Sequence, residues 1–391
     1  MKSFNVTAMA LLAIQAVWAA PAPAQEPVKI GLVTSLSGPG GYLGQDIRDG
    51  FQLAIEMNGG KLGGVPVQVV VEDDGAKPGQ GKQIVERWLK NDKVKIFTGI
   101  VFSNVAGATV PDVLDGGAFY VSPNAGPSTF AGKGCHPNYF VVSWQNDSLH
   151  ESAGELANRL GYKNVYLVAA NYQAGKDALE GFKRLYKGKI AGESFTRLDQ
   201  TDFAAEFAQI RAADPEAVFQ FEPGGLGIAF LRQYQQAGLK DKIPMVVAAP
   251  SLDAVTLSVV GDAALGINVT SHWNSDFDNP SNKAFMAGWD KAYHRPATYY
   301  ASQGYDTALA IGAALKGVGG KLDDTEAFRQ AMLKADFQSV RGSFKFGPNQ
   351  HPIQDWYALK VEKTADGKLA LNTKGKILSD HGDAYAKDCK F

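Results

Sequence analysis

The chain has 391 residues, of which 45% are hydrophobic, and its 39 basic and 40 acidic side chains give a formal charge of −1. This near balance argues against nucleic acid or an anionic membrane as the partner, because either would favour a basic surface. The length and the apolar fraction predict two domains with ordinary hydrophobic cores.

Residues 1–24 have the pattern of a secretory signal peptide. Lys2 is their only charged side chain, an apolar run covers residues 8–20, and Ala22-Pro23-Ala24 is a small-x-small cleavage site. The apolar run is too short to span a bilayer, which argues against a membrane anchor. The sequence therefore predicts export, with cleavage near Ala24.

From Val28 the chain alternates between strand and helix patterns. Val28 to Thr34 is an apolar run typical of a buried strand, a Gly/Pro/Ser turn covers residues 35–44, and a helix pattern then runs to Gly59-Gly60. Similar units follow to residue 143, and a second series runs from about 149 to 248. Helices at 280–293, 300–315 and 325–334 precede late strands at 343–346 and 354–362. This alternation predicts mostly parallel sheets.

Four glycines crowd the turn between residues 38 and 44, which raises the question of a dinucleotide site. The GxGxxG spacing fails, because one alignment places Leu43 at the third glycine and the other places Pro39 at the first. Glycine-rich turns after strands are common, so the sequence disfavours a nicotinamide or flavin site.

Other cofactor and catalytic motifs are also missing from the sequence. The chain has no CxxC, no HxxxH and no GxSxG, so neither a zinc site nor a hydrolase of that class has support. We therefore expect no cofactor and no metal. The two cysteines, Cys135 and Cys389, are an even count in an exported chain, and we expect them to form a disulfide.

The stretch VTSLSGPGGYLGQDIRDGFQLAIEMNGG, residues 33–60, resembles the opening of type I periplasmic solute-binding proteins. These are the leucine/isoleucine/valine-binding family of ABC importers. The S-G-P turn, the glycine after it and the helix ending in Asn-Gly-Gly carry the resemblance, which extends through nearly the whole mature chain. It implies an α/β fold of two Rossmann-like lobes with mostly parallel sheets, a three-segment hinge and a ligand in the interlobe cleft.

The resemblance also implies where the chain divides and where it acts. Lobe 1 is expected to contain residues 25–143 and 270–347, and lobe 2 residues 144–269 and 348–391. The crossings between them are expected near residues 142–145, 268–272 and 345–354. A monomeric, non-enzymatic periplasmic receptor that docks on an inner-membrane permease is the implied function.

In lobe 1 the resemblance points to two loops that hold a ligand carboxylate. The loop Val101-Phe102-Ser103 starts a helix whose free N–H groups suit an anion. An ordinary helix cap is the commoner use of such a serine, but Ser103 aligns with the family's carboxylate-binding serine. The loop Asn124-Ala125-Gly126 matches the second, but Gly126 replaces the family's threonine, and Asn124 is a possible substitute. Tyr42 and Leu43 align near an apolar residue that covers the ligand.

In lobe 2 the expected partner for a ligand ammonium group is missing. Amino-acid binders carry a glutamate near Ser251, and serine cannot supply that charge. A buried ammonium without a carboxylate partner is costly, so Glu222 or Asp253 would have to compensate.

Aromatic side chains are plentiful around the expected cleft and favour a flat apolar ligand. They are Tyr42, Phe102, Tyr172, Phe221, Trp273, Tyr299 and Tyr300. The predicted ligand-binding residues are Tyr42, Leu43, Val101, Phe102, Ser103, Asn124, Ala125, Gly126, Asn171, Tyr172, Phe221, Glu222, Ser251 and Tyr300.

The sequence thus favours a receptor for a small hydrophobic carboxylate, most simply an aromatic acid of the phenylpropanoid or benzoate type. A branched-chain amino acid or amide receptor of the same fold is the first alternative. A secreted α/β enzyme is an alternative of another class, but it would need a nucleophile-base pair or a metal cluster. A ligand-responsive regulator is a weaker third.

Overall fold

Two β-sheets, each covered by helices, form the computed structural model, which describes residues 26–391. The predicted signal peptide, residues 1–24, lies outside the described residues. Each sheet is mostly parallel, so the predicted α/β fold class is confirmed. No helix among residues 26–391 is long and apolar enough to cross a membrane.

The first sheet has the strand order β2-β3-β1-β4-β5-β6. Its strands are β1 (Val28–Thr34), β2 (Lys61–Leu62), β3 (Val65–Asp73), β4 (Ile96–Thr98), β5 (Phe119–Ser122) and β6 (Tyr139–Val141). All neighbours pair in parallel except β2 and β3, which form a hairpin. The apolar run of β1 lies at the centre of the sheet, as expected for a strand buried on both faces.

Six helices pack on or beside this sheet. They are α1 (Gly41–Met57), α2 (Pro78–Arg87), α3 (Ser103–Asp115), α9 (Pro280–Tyr293), α10 (Tyr299–Val318) and α11 (Thr325–Leu333). The crossing of α1 and α10 is very close: a Cβ on Gly50 would lie 2.0 Å from the Ala301 carbonyl oxygen, and one on Gly304 would lie 2.1 Å from the Ile47 carbonyl oxygen. Glycine is required at both positions because any side chain would push the helices apart.

The second sheet has the order β12-β13-β11-β10-β9-β7-β8, and β14 pairs with β13 outside this order. Its strands are β7 (Asn164–Ala170), β8 (Lys189–Thr196), β9 (Ala217–Phe221), β10 (Met245–Ala248), β11 (Asn268–Ser271), β12 (Lys345–Phe346), β13 (Pro352–Lys363) and β14 (Leu369–His381). Its helices are α4 (Asn146–Arg159), α5 (Gln173–Leu185), α6 (Ala204–Ala213), α7 (Gly225–Gln236) and α8 (Ala254–Val260). We call each sheet with its helices a lobe, lobe 1 for the first and lobe 2 for the second.

The order of these elements makes the chain pass between the sheets three times, after β6, after β11 and after α11. The lobe boundaries expected from the sequence differ at two points from the membership of the two sheets. Thr270 and Ser271 lie in β11, which pairs with β10 and β13 of the second sheet, and β12 also pairs with β13. The sequence analysis places both segments in lobe 1, because an apolar sequence pattern predicts a strand but not the strand with which it pairs.

A buried arginine joins these crossings. The Arg341 guanidinium donates to the Ser143 carbonyl oxygen at 3.0 Å, to Gln354 Oε1 at 2.7 Å and to Asp306 Oδ2 at 3.1 Å. Ser143 belongs to the first crossing, Gln354 to strand β13 after the third, and Asp306 to helix α10. Both members of the Arg341–Asp306 ion pair are buried. One cation therefore fixes two crossings against lobe 1.

The structure joins Cys135 to Cys389, with Cα atoms 5.6 Å apart and a sequence separation of 254 residues. Cys135 precedes the edge strand β6 of the first sheet, and Cys389 follows the edge strand β14 of the second. The disulfide is thus a covalent connection between the two lobes in addition to the three crossings.

We expect replacement of both cysteines by serine to lower the free energy of unfolding by about 2–5 kcal/mol, because the disulfide closes a long loop in the unfolded chain. Guanidinium unfolding of the oxidised protein and the double variant measures this. Reduced wild-type protein is the control and should match the variant. Equal stability of the oxidised protein and the variant would contradict the expectation.

Candidate ligand-binding site

A small cavity lies between the lobes, where strands from both sheets end. Nine of the fourteen predicted ligand-binding residues line it: Leu43, Val101, Phe102, Ser103, Asn124, Ala125, Tyr172, Phe221 and Tyr300. The sequence analysis missed seven others: Trp144, Asn146, Leu149, His150, Ala174, Pro223 and Pro250. Four of these seven lie on the first crossing or on helix α4, where the sequence has no motif that marks a ligand site.

Helix α3 begins at this cavity. It starts at Ser103, and no side chain caps it, so the N–H groups of its first turn retain their positive end charge. The Ser103 hydroxyl oxygen is buried and accepts a hydrogen bond from Asn146 Nδ2 at 3.1 Å. The backbone N–H groups of the first turn and the Ser103 hydroxyl can therefore both donate to one group in the cavity, which suits a carboxylate.

Asn146 ties this point to both lobes. Its Nδ2 also donates to Asp177 Oδ2 of helix α5 at 2.9 Å, and its Oδ1 accepts from the Gly126 N–H at 3.2 Å. Asp177 in turn accepts from the backbone N–H and hydroxyl of Ser128, a residue of the first lobe. This network holds the two lobes together beside the cavity.

The loop at residues 124–126 is organised differently from the expectation. Asn124 lines the cavity, but its Nδ2 donates to the Val101 carbonyl oxygen at 2.8 Å and so joins the two loops of lobe 1. Gly126 does not line the cavity. A Cβ there would lie 2.0 Å from the Trp144 carbonyl oxygen, so the threonine that the resemblance leads one to expect could not fit this backbone.

The opposite wall is aromatic. Tyr172 and Phe221 stack with ring centres 6.2 Å apart, Phe102 meets the edge of Tyr172 at 6.4 Å, and His150 meets Phe221 at 4.7 Å. Phe102 belongs to lobe 1 and the other three to lobe 2, so an aromatic ligand would contact both lobes.

Five predicted residues do not line the cavity: Tyr42, Gly126, Asn171, Glu222 and Ser251. The Ser251 hydroxyl donates to the Gln220 carbonyl oxygen at 3.2 Å and accepts from the Glu222 N–H at 3.1 Å, so it braces the loop after β9. Asn171 is exposed at the surface. The strand pattern placed these residues at the correct sheet edge but could not show which way each side chain points.

Glu222 and Asp253, the two carboxylates expected to pair with a ligand ammonium group, are already hydrogen-bonded within the protein. Glu222 accepts from the Thr196 hydroxyl at 2.8 and 3.0 Å, and burial raises the pKa of its carboxyl well above the ordinary value. Asp253 accepts from the Tyr42 hydroxyl at 2.9 Å and caps helix α8 by accepting from the Thr256 N–H. The cavity wall contains no acidic side chain among the described residues.

A larger cavity lies between helix α8, residues 296–299 and strand β14. Its wall is mainly apolar, and its only acidic side chain among the described residues, Asp253, is the one bonded to Tyr42. We assign the ligand site to the smaller cavity because only that one combines an uncapped helix start, a serine hydroxyl and an aromatic wall.

Residues 27–368 match the model of the periplasmic binding protein family. The chain belongs to this family. Its members serve transporters as substrate-binding proteins and are not enzymes as a class, and the family name places them in the periplasm. The resemblance read from residues 33–60 is therefore confirmed.

Similar proteins differ in what their names say they bind. A Brucella melitensis protein named Leu/Ile/Val-binding protein homolog 6 is 28% identical over 99% of this chain and 100% of its own. An R. palustris ABC transporter solute-binding protein solved with benzoate is 30% identical, with a TM-score of 0.88 over 93% of this chain and 100% of its own. A Rhodopseudomonas palustris BisB5 solute-binding protein solved with 3,4-dihydroxybenzoic acid is 28% identical, with a TM-score of 0.84 over 92% and 99%.

The pH dependence of stability tests the orientation of Glu222. Its native carboxyl keeps a proton to a higher pH than the ordinary value of 4.5, so above that value the native state binds more protons than the unfolded chain. The free energy of unfolding should therefore fall as pH rises above about 4.5, by up to about 1.4 kcal/mol per pH unit from this group, until the native carboxyl ionises.

Glu222→Gln should remove that part of the slope, since the amide oxygen can still accept from Thr196. Urea unfolding at several pH values measures the slope, and Glu180→Gln, at a surface glutamate paired with Lys183, is the matched control. Equal slopes in the two variants would show that Glu222 is ionised and not held as described.

Proposed function

We propose that the protein is the periplasmic receptor of an ABC importer for a small aromatic carboxylate, such as a benzoate or phenylpropanoid acid. The observation that carries this proposal is the pairing in one cavity of an anion-favouring helix start at Ser103 with an aromatic wall and no acidic side chain. The two R. palustris neighbours solved with aromatic acids support the ligand class.

Ligand capture would work through closure of the lobes. The carboxylate would bind to the first turn of α3 in lobe 1, while the ring would contact Tyr172 and Phe221 in lobe 2. A ligand that contacts both lobes stabilises the closed arrangement over an open one, which shifts the hinge equilibrium. The closed monomer would then dock on a membrane permease after cleavage of the signal peptide near Ala24.

A branched-chain amino acid receptor is the second candidate, because the curated relatives carry Leu/Ile/Val-binding names. Such a ligand would bring an ammonium group into a cavity without an acidic side chain. Leaving a buried charge unpaired costs roughly 3–5 kcal/mol, which is about a hundred- to a thousand-fold or more in affinity.

Titration calorimetry with matched pairs separates the two candidates. We expect 3-phenylpropanoate and benzoate to bind at least about a hundred-fold more tightly than phenylalanine and leucine. Phenylalanine differs from 3-phenylpropanoate only by the α-amino group, so the pair isolates the ammonium. If phenylalanine or leucine binds as tightly as the acids, the aromatic-acid proposal is wrong and the amino-acid candidate replaces it.

A Ser103→Ala variant tests the carboxylate position. It removes one hydroxyl at the start of α3, and we expect benzoate affinity to fall about ten- to a hundred-fold, as for a lost hydrogen bond to a charged group. Thr109→Ala, on the same helix but outside the cavity wall, is the control for loss of a hydroxyl from α3. An unchanged benzoate affinity in Ser103→Ala would place the carboxylate elsewhere.

A further inference from the structure

His150 is a polar side chain in the cavity wall that has no assigned role. It lies on helix α4 and is only 1% exposed, with its ring edge-on to Phe219 at 5.7 Å and to Phe221 at 4.7 Å. Within residues 26–391, neither ring nitrogen has a hydrogen-bond partner. Buried polar groups are normally paired, so an unpaired imidazole that faces a ligand cavity indicates a partner on the ligand.

The imidazole is neutral in this setting. Burial lowers the pKa of His150 to about 3, and its nearest ring neighbours are the two phenylalanines. A neutral imidazole carries one N–H donor and one acceptor nitrogen. It can therefore accept from a hydroxyl or donate to one, but it offers no charge for a second carboxylate.

The spacing along α4 relates His150 to the carboxylate position. Asn146, four residues earlier, lies 3.1 Å from the Ser103 hydroxyl. Four helical residues rise about 6 Å, so the backbone of His150 lies about that much farther along α4 than that of Asn146. A benzene ring with substituents at opposite positions spans a similar length.

We propose that His150 determines specificity for a hydroxyl group opposite the carboxylate, so that the ligand is a para-hydroxylated aromatic acid. This inference rests on the proposed function. A phenolic hydroxyl would satisfy the imidazole, whereas an unsubstituted ring would leave a nitrogen unpaired in an apolar wall. Sites built to bond a hydroxyl discriminate against analogues that lack it.

Calorimetry with 4-hydroxybenzoate, benzoate and 4-methylbenzoate tests the proposal. We expect wild-type protein to prefer 4-hydroxybenzoate over the other two by at least about tenfold, the effect of roughly one hydrogen bond. His150→Phe should abolish that preference, because phenylalanine offers neither a donor nor an acceptor. His150→Gln, which keeps a donor and an acceptor, should restore part of the preference.

A merely structural role for His150 predicts a different pattern, in which every variant weakens all three acids alike. The wild-type preference should also stay constant between pH 5.5 and 7.5, because the imidazole is neutral throughout. Thermal unfolding of each variant reports whether it is folded.

The outcomes are distinguishable. Binding of benzoate without a preference for the hydroxylated acid, or a preference that survives in His150→Phe, overturns the role of His150 and leaves the aromatic-acid receptor standing. Absence of binding by these three acids and by 3-phenylpropanoate overturns both proposals.

Discussion

The hinge of this protein depends on one buried charge. The Arg341 guanidinium is held by Asp306 and donates to a carbonyl of the first crossing and to Gln354 of strand β13. A cation can be kept out of water only where a counter-charge and several acceptors surround it, and these groups come from distant parts of the chain. Arg341 therefore sets how the crossing segments lie against one another, and hence how the two lobes face across the cleft.

The cleft beside this hinge shows a consistent distribution of charge. Carboxylates near it, such as Asp177, Glu222 and Asp253, are all bonded to protein donors and face away from the central cavity or brace the lobes. The remaining polar features of the cavity are an uncapped helix start, hydroxyls, amides and one neutral imidazole. Such a wall has fixed donors for an anion at one end and rings for an apolar body at the other.

Several hydrogen bonds between the lobes lie beside the cavity. Ser128 bonds Asp177 on one side, and Tyr42 bonds Asp253 on another. These hydrogen bonds form only when the lobes meet, so they favour closure, while the disulfide between Cys135 and Cys389 joins the lobes covalently near the hinge. A ligand in the cavity would add to contacts that the protein already makes.

Much of the fold could be predicted because it follows from local patterns. The apolar run of β1, the glycine-rich turn and the helix after it appear in the structure close to where the sequence places them. The sequence analysis missed the 13-residue strand β14, Leu369–His381. About half of its residues are polar, because an edge strand is largely exposed and needs few apolar side chains. Helix α8 was missed as well, because seven residues offer little periodicity.

The sequence by itself determined the α/β class, the family and the loops that meet at the cleft, because strand ends and turn residues are written locally along the chain. Only the tertiary structure decided which side chains face the ligand space. Glu222 and Ser251 lie in the expected loops, but their side chains do not line the cavity, and the backbone of Gly126 does not reach it. Asn146 and His150 line the cavity from helix α4, which carries no sequence motif. Side-chain direction depends on packing between distant segments, here the approach of Trp144 to Gly126 and of Thr196 to Glu222, and no local pattern contains that information.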